Sequence, residues 1–278
     1  MNWQGQLLKR YISLPDFADK VADCFRKLRS EQQRVIRWQK YSQSLIPYEQ
    51  RFIEALRGTK DRPGFFRQQK EEVLANMGVK RVKVVEDWLF DQRKYELLFE
   101  EFGQLLLPEI VNDRGREELE RLGVGVAFDV NNPRVSDFLN EKVYKFSFET
   151  NSTTIKHLRR EFANGLADGE GIPVLAKRVE KVFGFAEKYR SVRIARTEVL
   201  GSSNFGALES YKQSRVVELK EWLTTRDNSV RDSHAAIDGQ QVPLHGRFSN
   251  GLQHPGDPSG SAEEVINCRC ALIPVVKE

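Results

Sequence analysis

The apolar residues of this chain keep a helical spacing for most of its length and then lose it, and that change of period limits every fold open to the sequence. Phe17, Val21, Cys24, Phe25 and Leu28 fall at i, i+4, i+7/8 and i+11, a single stripe on an otherwise polar helix. Tyr48–Leu56 repeats the spacing through Phe52 and Leu56, and Pro63-Gly64 breaks the chain. From Val82 to Leu122 the pattern is long and helical, with Pro108 and Gly115 expected to divide it into two or three pieces. Val124–Pro133 reads as a short extended piece closed by turn residues, and Pro133 is placed to open a helix. Asn151-Ser-Thr-Thr offers caps ahead of Ile155, Leu158 and Phe162, and Gly165–Gly171 ends that helix. Another helix starts at Ile172-Pro173, and a third runs from Ala186 to Gln213. After Ser214 the texture changes. Val216–Thr224 and Ala271–Val276 read as strands, and the long stretch between them is rich in Gly, Pro, Asp, Asn and Ser. Loops of that length are uncommon in compact domains and are usually functional or cross-linked.

The 278 residues, 40% hydrophobic and 30% charged, suffice for a real core. No apolar run approaches the roughly 18 residues of a membrane span, so no membrane partner is expected. The amino terminus, Met1-Asn2-Trp3-Gln4, lacks the basic start and apolar stretch of a secretory signal. Three cysteines, Cys24 alone and Cys268 and Cys270 one residue apart, do not make a disulfide framework, and reduced thiols in a cytosol are expected. The net charge of +4 is unevenly spread: residues 1–70 carry 15 Lys/Arg against 7 Asp/Glu, whereas residues 71–130 carry 8 against 14. A basic entry segment can attract double-stranded DNA. The plainer reading is a solvated helix face with its counter-charge on the next element.

The informative residues lie from Ile194 onward. They run Ile-Ala-Arg196-Thr-Glu198-Val, Asn204-Phe-Gly206, Lys220-Glu-Trp-Leu-Thr-Thr-Arg-Asp227, and Val230-Arg231-Asp-Ser-His234-Ala-Ala-Ile-Asp238-Gly239. Val242-Pro243 and Phe248 follow, then His254-Pro-Gly-Asp-Pro-Ser-Gly260 and Glu264-Val-Ile-Asn267-Cys268-Arg269-Cys270. Each short motif alone is a weak signal, but the ordered series is a strong one. It resembles the Mu F-like domain of phage minor head proteins, also called head morphogenesis proteins, sharply over residues 190–275 and more loosely over 127–190. Residues 1–125 carry no transferable motif. The resemblance implies a few copies near the portal inside the phage head, assembly in the bacterial host cytoplasm, and residence in the virion. Some related chains carry toxin domains; with none after Val276, the plain structural form is expected here.

Two constellations carry chemistry. Cys268 and Cys270, at i and i+2 of a strand start, project to one face while Arg269 faces away. With His234 and His254 upstream they form a soft set of two thiolates and two imidazoles that suits a structural zinc, which would also keep the long loop ordered. The alternative is two buried reduced cysteines acting as small hydrophobes. Arg231, His234 and Asp238, with Arg196, Glu198 and Asp227 nearby, could serve phosphodiester or acyl transfer. Read structurally, Asp227 and Asp238-Gly239 shape turns while Arg231 or Arg269 pairs with Glu198 to hold the loop on the preceding helix. Trp222 and Phe248 are expected in the core.

The expected architecture is α+β and predominantly helical: a helical amino-terminal region (1–125), a helical connector (126–189), and a small carboxy-terminal domain (190–278) with a few antiparallel strands. The expected role is non-enzymatic. The chain would bind the phage portal protein and the inner capsid surface during head morphogenesis and contact packaged DNA. The rival class is a nuclease or nucleotide transferase delivered with the genome and acting through Arg231, His234 and Asp238.

Overall fold

A computed structural model describes residues 14–78, 88–225 and 229–276, with side chains from residue 30 onward. The stripe from Phe17 to Leu28 thus falls in a helix whose side chains there, Cys24 included, lie outside the described set. The described residues are predominantly helical, with a small antiparallel sheet near the end of the chain, the α+β class read from the sequence. Among the described residues, five helices precede the central one: α1 (Leu14–Arg57), α2 (Phe65–Met77), α3 (Gln92–Leu122), α4 (Pro133–Ala167) and α5 (Ile172–Phe185). A π-helical turn, Ala186–Arg190, joins α5 to α6 (Ser191–Ser214). Then come β1 (Val217–Leu223), α7 (Asp232–Ala235), β2 (Gln241–Pro243), α8 (Ala262–Val265) and β3 (Ala271–Val276). Among the described residues no helix is long and apolar enough to cross a membrane.

Local chemistry sets several of these ends. Asp91 caps α3 by accepting the Lys94 amide, and Gly123 closes the helix in the left-handed conformation. Asn132 accepts the Arg134 amide, and Pro133 then opens α4 as its position implies. Two expectations are corrected. Helix α3 runs unbroken through Pro108 and Gly115. Leu106, Leu107, Ile110 and Val111 are all buried there, and their packing outweighs the one missing amide hydrogen bond. Gly115 leaves room for the Phe128 ring, which a Cβ would meet at 2.4 Å. Likewise, Asn151-Ser-Thr-Thr caps nothing and lies inside α4. The Asn151 side chain accepts from Gln69 and donates to the Gln92 carbonyl, and Thr154 donates back to the Thr150 carbonyl. Buried polar partners therefore hold a helix interior that short polar side chains alone would disfavour.

Helix α6 is the element on which the others meet. From Val199 to Tyr211 every residue is buried, because α3 and α1 cover it from one side and the sheet and carboxy-terminal loop from the other. Such enclosure needs small residues. At Gly206 an added Cβ would stand 2.5 Å from the Val111 carbonyl oxygen of α3, and at Gly201 it would stand 2.8 Å from the Gly256 carbonyl oxygen. The sheet has the order β2-β1-β3, antiparallel throughout, with Trp222 opposite Leu272 and Lys220 opposite Val242. Asn204 fastens β3 to α6: its amide donates to the Cys270 carbonyl at 3.1 Å and accepts the Leu272 amide at 2.8 Å. Tyr211 adds a second tie, its hydroxyl lying 3.0 Å from Glu118 and 3.2 Å from the Leu272 carbonyl.

Three substitutions test this arrangement by urea unfolding. Gly206→Ala should cost about 1–3 kcal/mol because the methyl meets backbone that cannot rotate away. Gly184→Ala, where a Cβ meets nothing within 4 Å, should be neutral or stabilising. Asn204→Ala should cost about 2–4 kcal/mol, since it strands a buried carbonyl and a buried amide at once. Equal midpoints for Gly206→Ala and wild type would remove the close-approach account.

Candidate functional site

The carboxy-terminal loop leaves β1 at Leu223 and returns at Ala271, and within it three of the residues singled out by the sequence converge. His234 sits on the single turn of α7, and Cys268 and Cys270 lie just ahead of β3. Nδ1 of His234 is 3.7 Å from Sγ of Cys268 and 3.4 Å from Sγ of Cys270. Each of the three residues is only 1% exposed. On the far side of the ring, Nε2 lies 3.0 Å from the Glu264 carboxylate on α8, which also accepts from Asn250. The Cys270 amide donates to Sγ of Cys268 at 3.4 Å. The Trp222 ring packs edge-on against both His234 and Phe248, so the trio's floor is aromatic, and both Trp222 and Phe248 are core as expected.

These contacts separate the two thiols electrostatically. The hydrogen bond from Cys270 draws the Cys268 thiol well below its ordinary range, and His234 adds to the effect against the opposing burial. The same hydrogen bond and burial push Cys270 up.

His254 is not part of this group. Among the described residues, the set of ligand atoms within 4.8 Å of one another is His234, Cys268 and Cys270. Gly256, in a left-handed turn pressed on Gly201, seats the His254–Gly260 segment on α6 instead. There the His254 ring meets Phe138 and Phe205, and its Nδ1 donates to the Pro255 carbonyl. Burial holds its pKa down to about 4, with Asp257 opposing, so the ring is neutral.

The remaining motif residues make internal bonds. Asp238 accepts from the Thr224 amide and hydroxyl at 2.9 and 3.0 Å and pairs with Arg34 of α1 at 3.0 Å. Gly239, with φ of +78°, turns the chain so that its amide reaches the Trp222 carbonyl. Arg196 donates to the Asn267 side chain at 2.7 Å, and the Asn267 amide donates to Thr197, which fixes Asn267 in a left-handed conformation. Glu198 takes Lys142 of α4 as its ion-pair partner at 3.0 Å, where Arg231 or Arg269 was expected, while Arg231 donates to the Ile266 carbonyl. The reason is burial: the Lys142 ammonium is buried and needs an anionic partner, which Glu198 supplies. Asp227 lies outside the described residues.

Several participants carried no signal in the sequence. Arg34 pairs with both Glu221 and Asp238, and the Trp38 indole donates to the Arg269 carbonyl at 2.9 Å, so α1 is fastened directly to the motif loop. Their helix was legible, but no spacing along α1 could name a partner some two hundred positions away. Glu264 belongs to the motif series, yet nothing in its spacing assigned it a role; a carboxylate three residues before an Asn-Cys pair was the available hint.

Comparison with known proteins bears on this same region. The family model of phage Mu protein F like proteins matches residues 156–273. The chain aligns with the uncharacterized protein YqbB of Bacillus subtilis at 26% identity over 195 residues, 68% of this chain and 64% of that protein. It aligns with the NAD(+)--arginine ADP-ribosyltransferase EFV of Enterococcus faecalis at 27% identity over 152 residues, 53% of this chain and 30% of that protein. The chain therefore spans less than two thirds of either relative. No solved structure matches it. The matched segment, residues 156–273, holds the whole motif series from Arg196 to Cys270, and it is over this segment that the chain is similar to phage Mu protein F like proteins.

Proposed function

We propose that this chain is a minor head protein of a tailed phage, acting in head morphogenesis by binding the portal and the inner capsid surface. The observation that carries the reading is the family match over residues 156–273, which points to phage head morphogenesis. The internal bonding of the motif supports a structural role. Arg231 and Asp238 hold loop segments together, and His234 faces two thiols, so none of the three is aimed at a common open site. That is a poor arrangement for a nuclease or nucleotide transferase, whose groups must converge on a reacting atom. The activity in the name of the Enterococcus faecalis relative remains that protein's own, since the alignment covers 30% of it. The virion is the proposed residence, with assembly in the host cytoplasm.

Co-expressed with the portal protein of the same phage, the chain should co-purify with it and be found in mature particles at a few copies. Absence from both would overturn the reading. Plasmid incubated with the purified chain and divalent metal should stay intact.

Contact with packaged DNA is the second element of the proposal, resting on the excess of Lys/Arg in residues 1–70. Deleting that segment would remove Tyr41, Leu45, Phe52, Leu56 and Phe66 from the core, so charge substitution is the cleaner test. Binding should be sequence-independent. Replacing Lys9, Arg10, Lys20, Arg26, Lys27 and Arg29 with Gln should flatten its salt dependence, by about 0.9 in log–log slope for each phosphate no longer neutralised. An unchanged slope would overturn the DNA-contact reading.

A further inference from the structure

We infer that Nδ1 of His234, Sγ of Cys268 and Sγ of Cys270 bind a zinc ion that ties α7 to the start of β3, with a water as fourth ligand. The first argument is distance. Zinc bonds of about 2.3 Å to sulfur and about 2.0–2.1 Å to nitrogen, set at tetrahedral angles, place sulfur and nitrogen about 3.6 Å apart. The two separations here are 3.7 and 3.4 Å. Both separations match those of a shared zinc, and all three ligand atoms lie within 4.8 Å of one another.

The second argument is the proton on the imidazole. A carboxylate accepts, so the Glu264 contact places hydrogen on Nε2 and turns the Nδ1 lone pair toward the sulfurs. A carboxylate behind a histidine is the usual support for a metal-bound ring, fixing its orientation and raising its basicity.

The third argument lies in the surroundings. The Trp222 ring lies against His234, and its Nε1 is buried with no hydrogen-bond partner among the described residues. Native interiors rarely leave such a group alone unless a water or ion completes it. A donor beside two thiolates stabilises the charge that a zinc site concentrates there. Soft thiolate and imidazole ligands select zinc over the hard cations, which take oxygen. Each thiol releases its proton to solvent as it binds.

The consequence is mechanical. Among its described residues, the loop between β1 and β3 contains one short strand and two single-turn helices, and a metal at its centre would join its first third to its last residues. The rival is a metal-free network in which a thiol donates to Nδ1.

The test is elemental analysis of the full chain purified without chelator, together with uptake of cobalt(II) read by its absorption. The expected result is one zinc per chain, and a cobalt spectrum with thiolate charge-transfer bands and the intense visible bands of a tetrahedral site. Glu264→Gln should keep the fold and weaken zinc binding about 10- to 100-fold in competition with a chromogenic chelator. Cys268→Ser should abolish the cobalt thiolate bands, and His254→Ala should leave them intact. A chelator should lower the melting temperature of the wild-type chain. Less than about a tenth of an equivalent of zinc, together with no cobalt thiolate band, would overturn the inference, because structural sites bind too tightly to empty during purification. The wild-type measurements decide the question even if Cys268→Ser fails to fold.

Discussion

Helix α6 can be buried on all sides only because its side chains are small where other backbones arrive. At Gly206 the backbone of α3 sits against it, and at Gly201 the turn at Gly256 does the same from the opposite side. These two contacts set the distance between the helical layer and the carboxy-terminal loop. Everything downstream depends on that distance. It lets Asn204 reach two backbone groups of the segment entering β3, and it seats the His254–Gly260 turn away from the sulfur pair. A close backbone approach gains dispersion and excludes water, but it also buries polar groups that must then be satisfied internally. Asn204, Tyr211 with Glu118, and Glu209 with Arg134 and Lys212 provide that satisfaction along the helix.

The loop between β1 and β3 is ordered by a different balance. Ile237, Phe248, Leu252 and Val265 are its buried apolar anchors, too few to define so long a path. Backbone capture supplies the rest: Asp238 on Thr224, Gly239 on Trp222, Arg231 on Ile266, and Asp257 on the amides of Gln253 and Ser259. A net worth of about 1 kcal/mol per hydrogen bond makes each modest, yet leaving any of those groups unpaired in a buried site would cost more. Lys220 illustrates the cost. Its ammonium, sunk beside the Phe248 ring and bonded to the Leu244 carbonyl, has its pKa held down to about 8 by burial.

Helix α1 gives the amino-terminal half a direct part in this. Arg34 and Trp38 bind the loop, so the region without a family motif supplies part of the anchorage of the motif residues. Fastening an irregular loop from two directions holds one conformation without a larger sheet.

What the sequence by itself determined was the run of periods. Apolar spacing gave the helices, alternation and turn residues gave β1 and β3, and Pro133, Pro63 and Gly64 marked ends, because each of these depends on neighbours within a turn or two. The ordered residues from Arg196 to Cys270 also offered His234, His254, Cys268 and Cys270 as one candidate set, of which packing brings three together. What only the tertiary structure decided was partnership across distance. Pro108 and the Asn151-Ser-Thr-Thr run looked like breaks, since local propensity cannot register the packing and buried hydrogen bonds that carry α3 and α4 through them. Glu198 found Lys142, and His254 was held by the Gly256–Gly201 contact, because helix register and backbone proximity choose among equally plausible charges and rings. Long-range pairing is a property of the packed chain, set by which surfaces fit, and no local spacing encodes it.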